Sequence, residues 1–373
     1  MLLVAEPVLG SEEKGALSEV VDGGWITMGD RVDALERAFA EKHNAADAVA
    51  VSSCTAALHL ILQALGVGPG DEVLVPSLTF VATVNCILYV GATPVFVDIE
   101  SLDWPLISRG DAATRCAGRT KAVIVMHYAG YLADRDAWRE LADSRGLLLI
   151  EDAAHAAGAD RVGTIGHATA FSFYGNKNMT TAEGGLVIAA DQDVLDKIRK
   201  MRNHGMTSGT FQRFSKRTVG YDVTMLGYNY RMDELRAAVG LAQLKRLSEW
   251  NEKRRKLTQL YRQCLEERCP NVDLPFKSWP TASWQATSCH IMSILLPEAV
   301  ERQAVIDALW DVGIQTSNHY PAAHRFSFYR RRFPSVRLPL TEEFARRQLT
   351  LPLHPKMDER QVEHVVSALA KIL

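Results

Sequence analysis

The chain has 373 residues, 47% of them hydrophobic, with 42 Lys and Arg against 44 Asp and Glu. At about 100–200 residues per domain this is enough for two cored domains, and a net charge of −2 leaves no basic excess for nucleic-acid phosphates. The first apolar run is cut at Glu6 and no stretch of ~18 apolar residues follows, so the sequence predicts a cytoplasmic protein with no membrane or nucleic-acid partner. The six cysteines form no CxxC pair and no His/Cys cluster at metal-ligand spacing, which predicts reduced thiols and no metal.

In chain order, Asp30 is placed to N-cap a helix with Val32, Leu35, Ala38 and Phe39 on its apolar face, ending near Asn44. A strand is predicted over Ala48–Val51, then the small polar turn Ser52-Ser53-Cys54-Thr55, then a helix with Leu58, Ile61, Leu62 and Leu65 on one face. Further strands are predicted at Glu72–Val75, Pro94–Val97, Ala122–Met126, Leu147–Ile150, Ala168–Phe173 and Leu186–Ala189, with helical patterns between most of them. This alternation reads as α/β with a largely parallel sheet. From Arg231 the pattern is helical to about Leu265, and the domain boundary is placed inside that helix, giving a large domain over 1–250 and a smaller α/β domain over 251–373. The smaller domain carries a predicted strand at His290–Leu296, a helix from Glu298 to about Val312 and a last helix from Asp358.

Three segments carry chemistry. In Leu149-Ile150-Glu151-Asp152-Ala153-Ala154-His155 a hydrophobic strand ends in two carboxylates, at the kind of edge where α/β sites collect. A buried Asp152 needs a cationic or hydrogen-donating partner, such as a protonated pyridine nitrogen; a solvated acidic turn is the plainer reading of the segment alone. Lys177 lies between the β-rich Ala170–Tyr174 run and Gly184-Gly185. Most lysines are surface solubilisers, but a partly desolvated amine can lose its proton and form a Schiff base with pyridoxal phosphate (PLP), whose enzymes add an acid for the ring nitrogen. Ser52–Ala57 is a polar helix start able to hold a phosphate, or merely a cap. Phe80 could stack on a planar ring or sit in the core.

These segments, with Gly24-Trp25-Ile26-Thr27-Met28-Gly29, Pro76-Ser77-Leu78-Thr79-Phe80, Gly91–Asp98, Glu183-Gly184-Gly185 and Gly227–Asp233 in the same order, resemble the DegT/StrS nucleotide-sugar aminotransferases of the PLP fold type I superfamily. The resemblance implies a mixed, mostly parallel sheet sandwiched by helices, plus the smaller C-terminal domain. It implies PLP as cofactor, Lys177 as the Schiff-base lysine and proton carrier, and Asp152 as the pyridinium partner. Thr55, Ala56 and Ser172 would hold the phosphate, Phe80 the ring face, and His155 would lie near the ring hydroxyl. Asn229 would reach the phosphate in the neighbouring subunit, so a homodimer with shared sites is implied. His319 and His324 resemble substrate-side residues. Cys54 departs from the Gly common in relatives and narrows the phosphate turn.

The implied reaction moves an amino group from an amino acid, with glutamate the expected donor, to a nucleotide-linked ketosugar. Thr180–Gly185 is similar to members aminating C4 of a 4-keto-6-deoxyhexose, such as perosamine synthase-like enzymes. A cyclitol aminotransferase and a non-catalytic ligand sensor or regulator on the same fold are the alternatives.

Overall fold

A computed structural model describes residues 1–217 and 219–373. Its main sheet has seven strands, β1 (Ala48–Val51), β2 (Glu72–Pro76), β3 (Thr93–Val97), β4 (Thr120–Met126), β5 (Leu148–Asp152), β6 (Ala168–Ser172) and β7 (Gly185–Ala189), in the order β1-β7-β6-β5-β4-β2-β3. The pairs β2–β3, β2–β4, β4–β5 and β5–β6 are parallel, whereas β7 runs antiparallel to both β1 and β6. The central strands are buried on both faces, which explains why they read as continuous Val, Ile, Leu and Ala runs without alternation. Because β7 alone is reversed, the C-terminal ends of β1, β2, β4, β5 and β6 and the N-terminal end of β7 meet along one edge. Val51, Pro76, Met126, Asp152, Ser172 and Gly185 all lie there.

The predicted strands fall in place within a residue or two. The helix predicted from Asp30 forms over Asp30–Lys42, but its N-cap is Gly29 and its first N–H groups are held by a distant side chain. Glu234 accepts from the Gly29, Arg31 and Val32 N–H groups at 2.9, 2.9 and 3.0 Å. A carboxylate there also suits the helix dipole. Glu234 itself opens the helix Glu234–Arg268, which runs unbroken through Trp250 and is capped by Asp233.

Beyond it, β8 (Met292–Leu295) and β9 (Gln348–Leu351) pair antiparallel, covered by the helices Arg302–Asp311 and Glu359–Ile372. The chain start joins this layer: Leu2 bridges Ile314, and the Leu353 N–H donates to the Val4 carbonyl at 3.1 Å. Among the described residues no helix is long and apolar enough to cross a membrane. All six cysteines are free, and no group of three or more His, Cys, Asp or Glu among the described residues could hold a metal ion.

Candidate active site

The shared strand edge opens into a cavity of about 410 Å³ lined, among others, by Cys54, Thr55, Phe80, Asp152, Ser172, Lys177 and His319. Neighbouring residues of a strand point to opposite faces, and the Glu151-Asp152 pair is divided accordingly. Glu151 turns away and accepts from the His127 ring at 2.8 Å, the Gly163, Ile165 and Gly166 N–H groups at 3.3, 3.2 and 2.9 Å, and the Thr169 hydroxyl at 2.9 Å. The other His127 nitrogen accepts from the Ala133 N–H at 3.2 Å, so the nitrogen facing Glu151 carries the proton. This carboxylate fastens the loop before β6. Glu151→Gln should cost about 2 to 4 kcal/mol, read as a lower denaturation midpoint, while the folded variant keeps its activity.

Asp152 faces the cavity. Its Oδ2 accepts from the Thr83 hydroxyl at 2.7 Å and its Oδ1 from the Ala154 N–H at 3.1 Å. Burial pushes its carboxyl above the ordinary range, against the Thr83 and Ala154 hydrogen bonds and the charge of Lys177. No Lys, Arg or His among the described residues forms an ion pair with it, leaving the demand for a cation that the sequence posed. Lys177 lines the same cavity, its amine pushed down to about 8 by burial, with Cys54 and Asp152 opposing.

The turn after β1 forms an anion cradle. Ser53 caps the helix Cys54–Ala64 and accepts from the Ala56 N–H at 3.1 Å, and the Ala57 N–H donates to the Ser53 carbonyl at 3.0 Å. Ala56 is buried with its N–H given to Ser53, while Cys54 and Thr55, at the free-N–H start of the helix, line the cavity. A Cβ at Gly185 would lie 2.5 Å from the Ser53 carbonyl carbon and 2.6 Å from the Cys54 nitrogen, so only glycine lets β7 approach the cradle this closely. A cradle for a phosphate, a neutralisable lysine and a buried carboxylate short of a cation around one cavity fit PLP.

The sequence matches the model of the DegT/DnrJ/EryC1/StrS aminotransferase family over residues 7–370. The chain belongs to that family. Among solved structures this aminotransferase is similar to Helicobacter pylori PseC, an aminotransferase involved in the biosynthesis of pseudoaminic acid, at 27% identity and a TM-score of 0.91 over 100% of this chain and 98% of that one. The aminotransferase TlmJ from Streptoalloteichus hindustanus matches at 32% identity and a TM-score of 0.91, over 100% and 98% of the two chains. S. venezuelae DesV matches at 34% and 0.87, over 96% and 94%. Other similar structures hold PLP or pyridoxamine phosphate. The fold is PLP fold type I and the cofactor is pyridoxal 5′-phosphate.

The remaining expected residues of the aminotransferase divide by position. Ser172 lines the cavity, and Phe80 stands at its mouth, exposed, with its ring 6.1 Å from that of Tyr320. His319 lines the cavity with Nδ1 bonded to the Thr350 hydroxyl at 3.0 Å; burial, then the nearby Lys177, pushes its pKa down to about 4, so it is neutral. His155 is buried behind the wall, its Nε2 held by the Tyr320 hydroxyl at 2.8 Å. His324 is not among the residues that line this cavity. Both its ring nitrogens are engaged in the interior, with Ser77 at 2.7 Å and Glu342 at 3.0 Å. Asn229 is exposed and absent from its own chain's cavity wall, although Tyr230 beside it accepts from the Ser52 N–H at 2.8 Å.

Sequence reasoning passed over Thr83 and Tyr320. Tyr320 follows His319 directly in the sequence, and its residue type alone carries no sign of a site. Thr83, one turn after Thr79, was signalled only by a polar residue on the apolar face of a short helix.

Proposed function

We propose that this aminotransferase moves an amino group from glutamate to C4 of a nucleotide-linked 4-keto-6-deoxyhexose, in the cytoplasm, at sites shared between two copies of the chain. The observation that carries the reading is Lys177 and Asp152 lining one cavity, with Glu183 and Gly184 of the C4-type Thr180–Gly185 segment also lining it. The likeness to an enzyme of pseudoaminic acid biosynthesis supports a sugar acceptor. Residues 1–250 would form the cofactor-binding domain and 251–373 the smaller domain closing over it.

When bound, PLP supplies a ring that takes up the electron pair left as a proton leaves the donor's α-carbon. Lys177 would hold the cofactor covalently and then, as a free amine, move that proton; an amine titrating at about 8 can do both near neutrality. Asp152 would hold a proton on the ring nitrogen. Thr55, Ala56 and Ser172 would bind the phosphate, Phe80 would cover the ring, and His319 would stand on the substrate side. Incubation with glutamate and a panel of nucleotide-linked 4-keto and 3-keto sugars and inososes, with products read by NMR, tests the assignment. A product aminated at C3, or amination of the inosose alone, overturns it.

The shared site rests on Asn229 and on exposed apolar side chains a few residues before it in the chain, with Val223 55%, Tyr221 57% and Leu226 77% exposed, a surface that a second copy would cover. Lys177→Ala and Asn229→Ala chains, each impaired alone, should regain activity when mixed and exchanged, since one hybrid site then has both residues intact. Verified hybrids without recovery, or a fully active monomer in light scattering, would count against sharing.

A further inference from the structure

The Thr83 hydroxyl that meets Asp152 does not end there. Thr83 Oγ1 lies 2.8 Å from Thr79 Oγ1, and Thr79 Oγ1 lies 3.1 Å from Met126 Sδ. All four residues are buried. Thr79 and Thr83 are one turn apart at the start of the helix Val81–Tyr89, and Met126 is the register partner of Asp152 across β4 and β5. The result is a continuous line, Met126–Thr79–Thr83–Asp152, with one proton per hydroxyl.

The direction of the line follows from proton counting. An ionised carboxylate can only accept, so Thr83 must donate its single proton to Asp152 and accept from Thr79. If Asp152 Oδ2 is protonated, the order reverses: Asp152 donates to Thr83, Thr83 to Thr79, and Thr79 to the Met126 sulfur. The hydroxyls only rotate about their Cβ–Oγ bonds. In both states every buried hydroxyl proton has an acceptor. The sulfur, a weak acceptor, is used only in the second.

We propose that Thr83, Thr79 and Met126 form a reversible hydrogen-bond relay that satisfies Asp152 both as carboxylate and as carboxylic acid, making Thr83 a positioning residue for the proton Asp152 shares with its ligand. That last clause rests on the reading of Asp152 as the ring-nitrogen partner. A rigid donor set would lock Asp152 in one state, as five donors do for Glu151; the relay leaves it free to exchange a proton without stranding a polar group. The other titratable groups facing Asp152 are Lys177, His127, Cys54, Cys86 and Tyr320. They surround the carboxyl but leave the relay as its only hydroxyl contact among the described residues.

The test uses the full-length protein, with the protonated-carboxyl infrared band of Asp152 assigned by its loss in Asp152→Asn. Thr83→Val removes a donor to a charge in one state and an acceptor of a neutral group in the other. The first is worth more, so the midpoint of Asp152 should rise by about one pH unit. Thr83→Ser should restore it. Met126→Leu strands the Thr79 proton only when Asp152 is protonated, so it should lower the midpoint, by less. An unchanged midpoint in Thr83→Val, or shifts of the same sign in Thr83→Val and Met126→Leu, overturns the relay; if Thr83→Val does not fold, the sign in Met126→Leu decides. The ring-nitrogen reading is checked separately by adding PLP: a cofactor spectrum identical in wild type and Asp152→Asn would end that reading and leave the relay titrations standing.

Discussion

Lys177→Ala should fold like the wild type and lose turnover by on the order of a thousandfold, the scale of a missing general acid–base group. Lys177 makes no side-chain hydrogen bond or ion pair among the described residues, so its removal breaks no packing network, and the thermal midpoint should hold or rise as a desolvated amine is deleted. The wild-type amine supplies an independent readout. An ordinary lysine titrates near about 10.4, and burial brings this one to about 8. The sign is that of a cation losing solvation: the neutral form is favoured, so about one amine in ten is unprotonated at pH 7. Competitive acylation of the cofactor-free protein should label Lys177 ahead of the surface lysines, with a rate that rises with pH and levels off above about 8. Near-native transamination by Lys177→Ala, or a labelling midpoint near that of the other lysines, would remove Lys177 from its role.

Much of this arrangement was legible along the chain because it is local. Ala48–Val51 is a fully buried strand of small and branched residues, and Ser53 caps the helix behind it through the Ala56 N–H three residues on. Periodicity and composition see contacts of that range. What the sequence does not show are contacts closed by the fold. Asp30 looked like a cap, yet the helix start is held by Glu234, 205 positions after Gly29. The reversed direction of β7 leaves no mark in a strand buried on both faces, because direction does not change an apolar run. His324 carries the residue type of a site but has both nitrogens tied to Ser77 and Glu342, and only the three-dimensional neighbourhood shows that. The helix Ser11–Gly23 went unread because only Glu13 and Val20 of its residues are buried, too few for an apolar stripe. Thr83 and Asp152 lie 69 positions apart, and the helix after β2 must dock on β5 before their 2.7 Å contact exists. Chemistry-bearing residue types were visible in the sequence; their partners, which decide protonation, were not.

Asp152→Asn should keep the side-chain volume and the Thr83 contact while removing the charge, and turnover should fall at least about a hundredfold, or ~3 kcal/mol of barrier. A neutral amide cannot hold a proton on a pyridine nitrogen by charge, so the bound ring would lose much of its capacity to take up electrons. Stability should move the other way or not at all, since burial already pushes this carboxyl upward in the folded protein. A group with a raised acid pKa binds more protons folded than unfolded, so its charge weakens the fold as pH rises through the ordinary carboxyl range. The amide removes that penalty. A second effect is read at Lys177, whose amine Asp152 helps to keep protonated. With the carboxylate gone, the labelling midpoint of Lys177 should fall below about 8, and the cofactor-free variant should acylate faster near neutrality although its turnover is lower. A merely misfolded site would lower both. Normal turnover in an Asp152→Asn protein that binds PLP would reduce Asp152 to an acidic turn residue, and an unmoved Lys177 midpoint would show that the two groups do not sense each other.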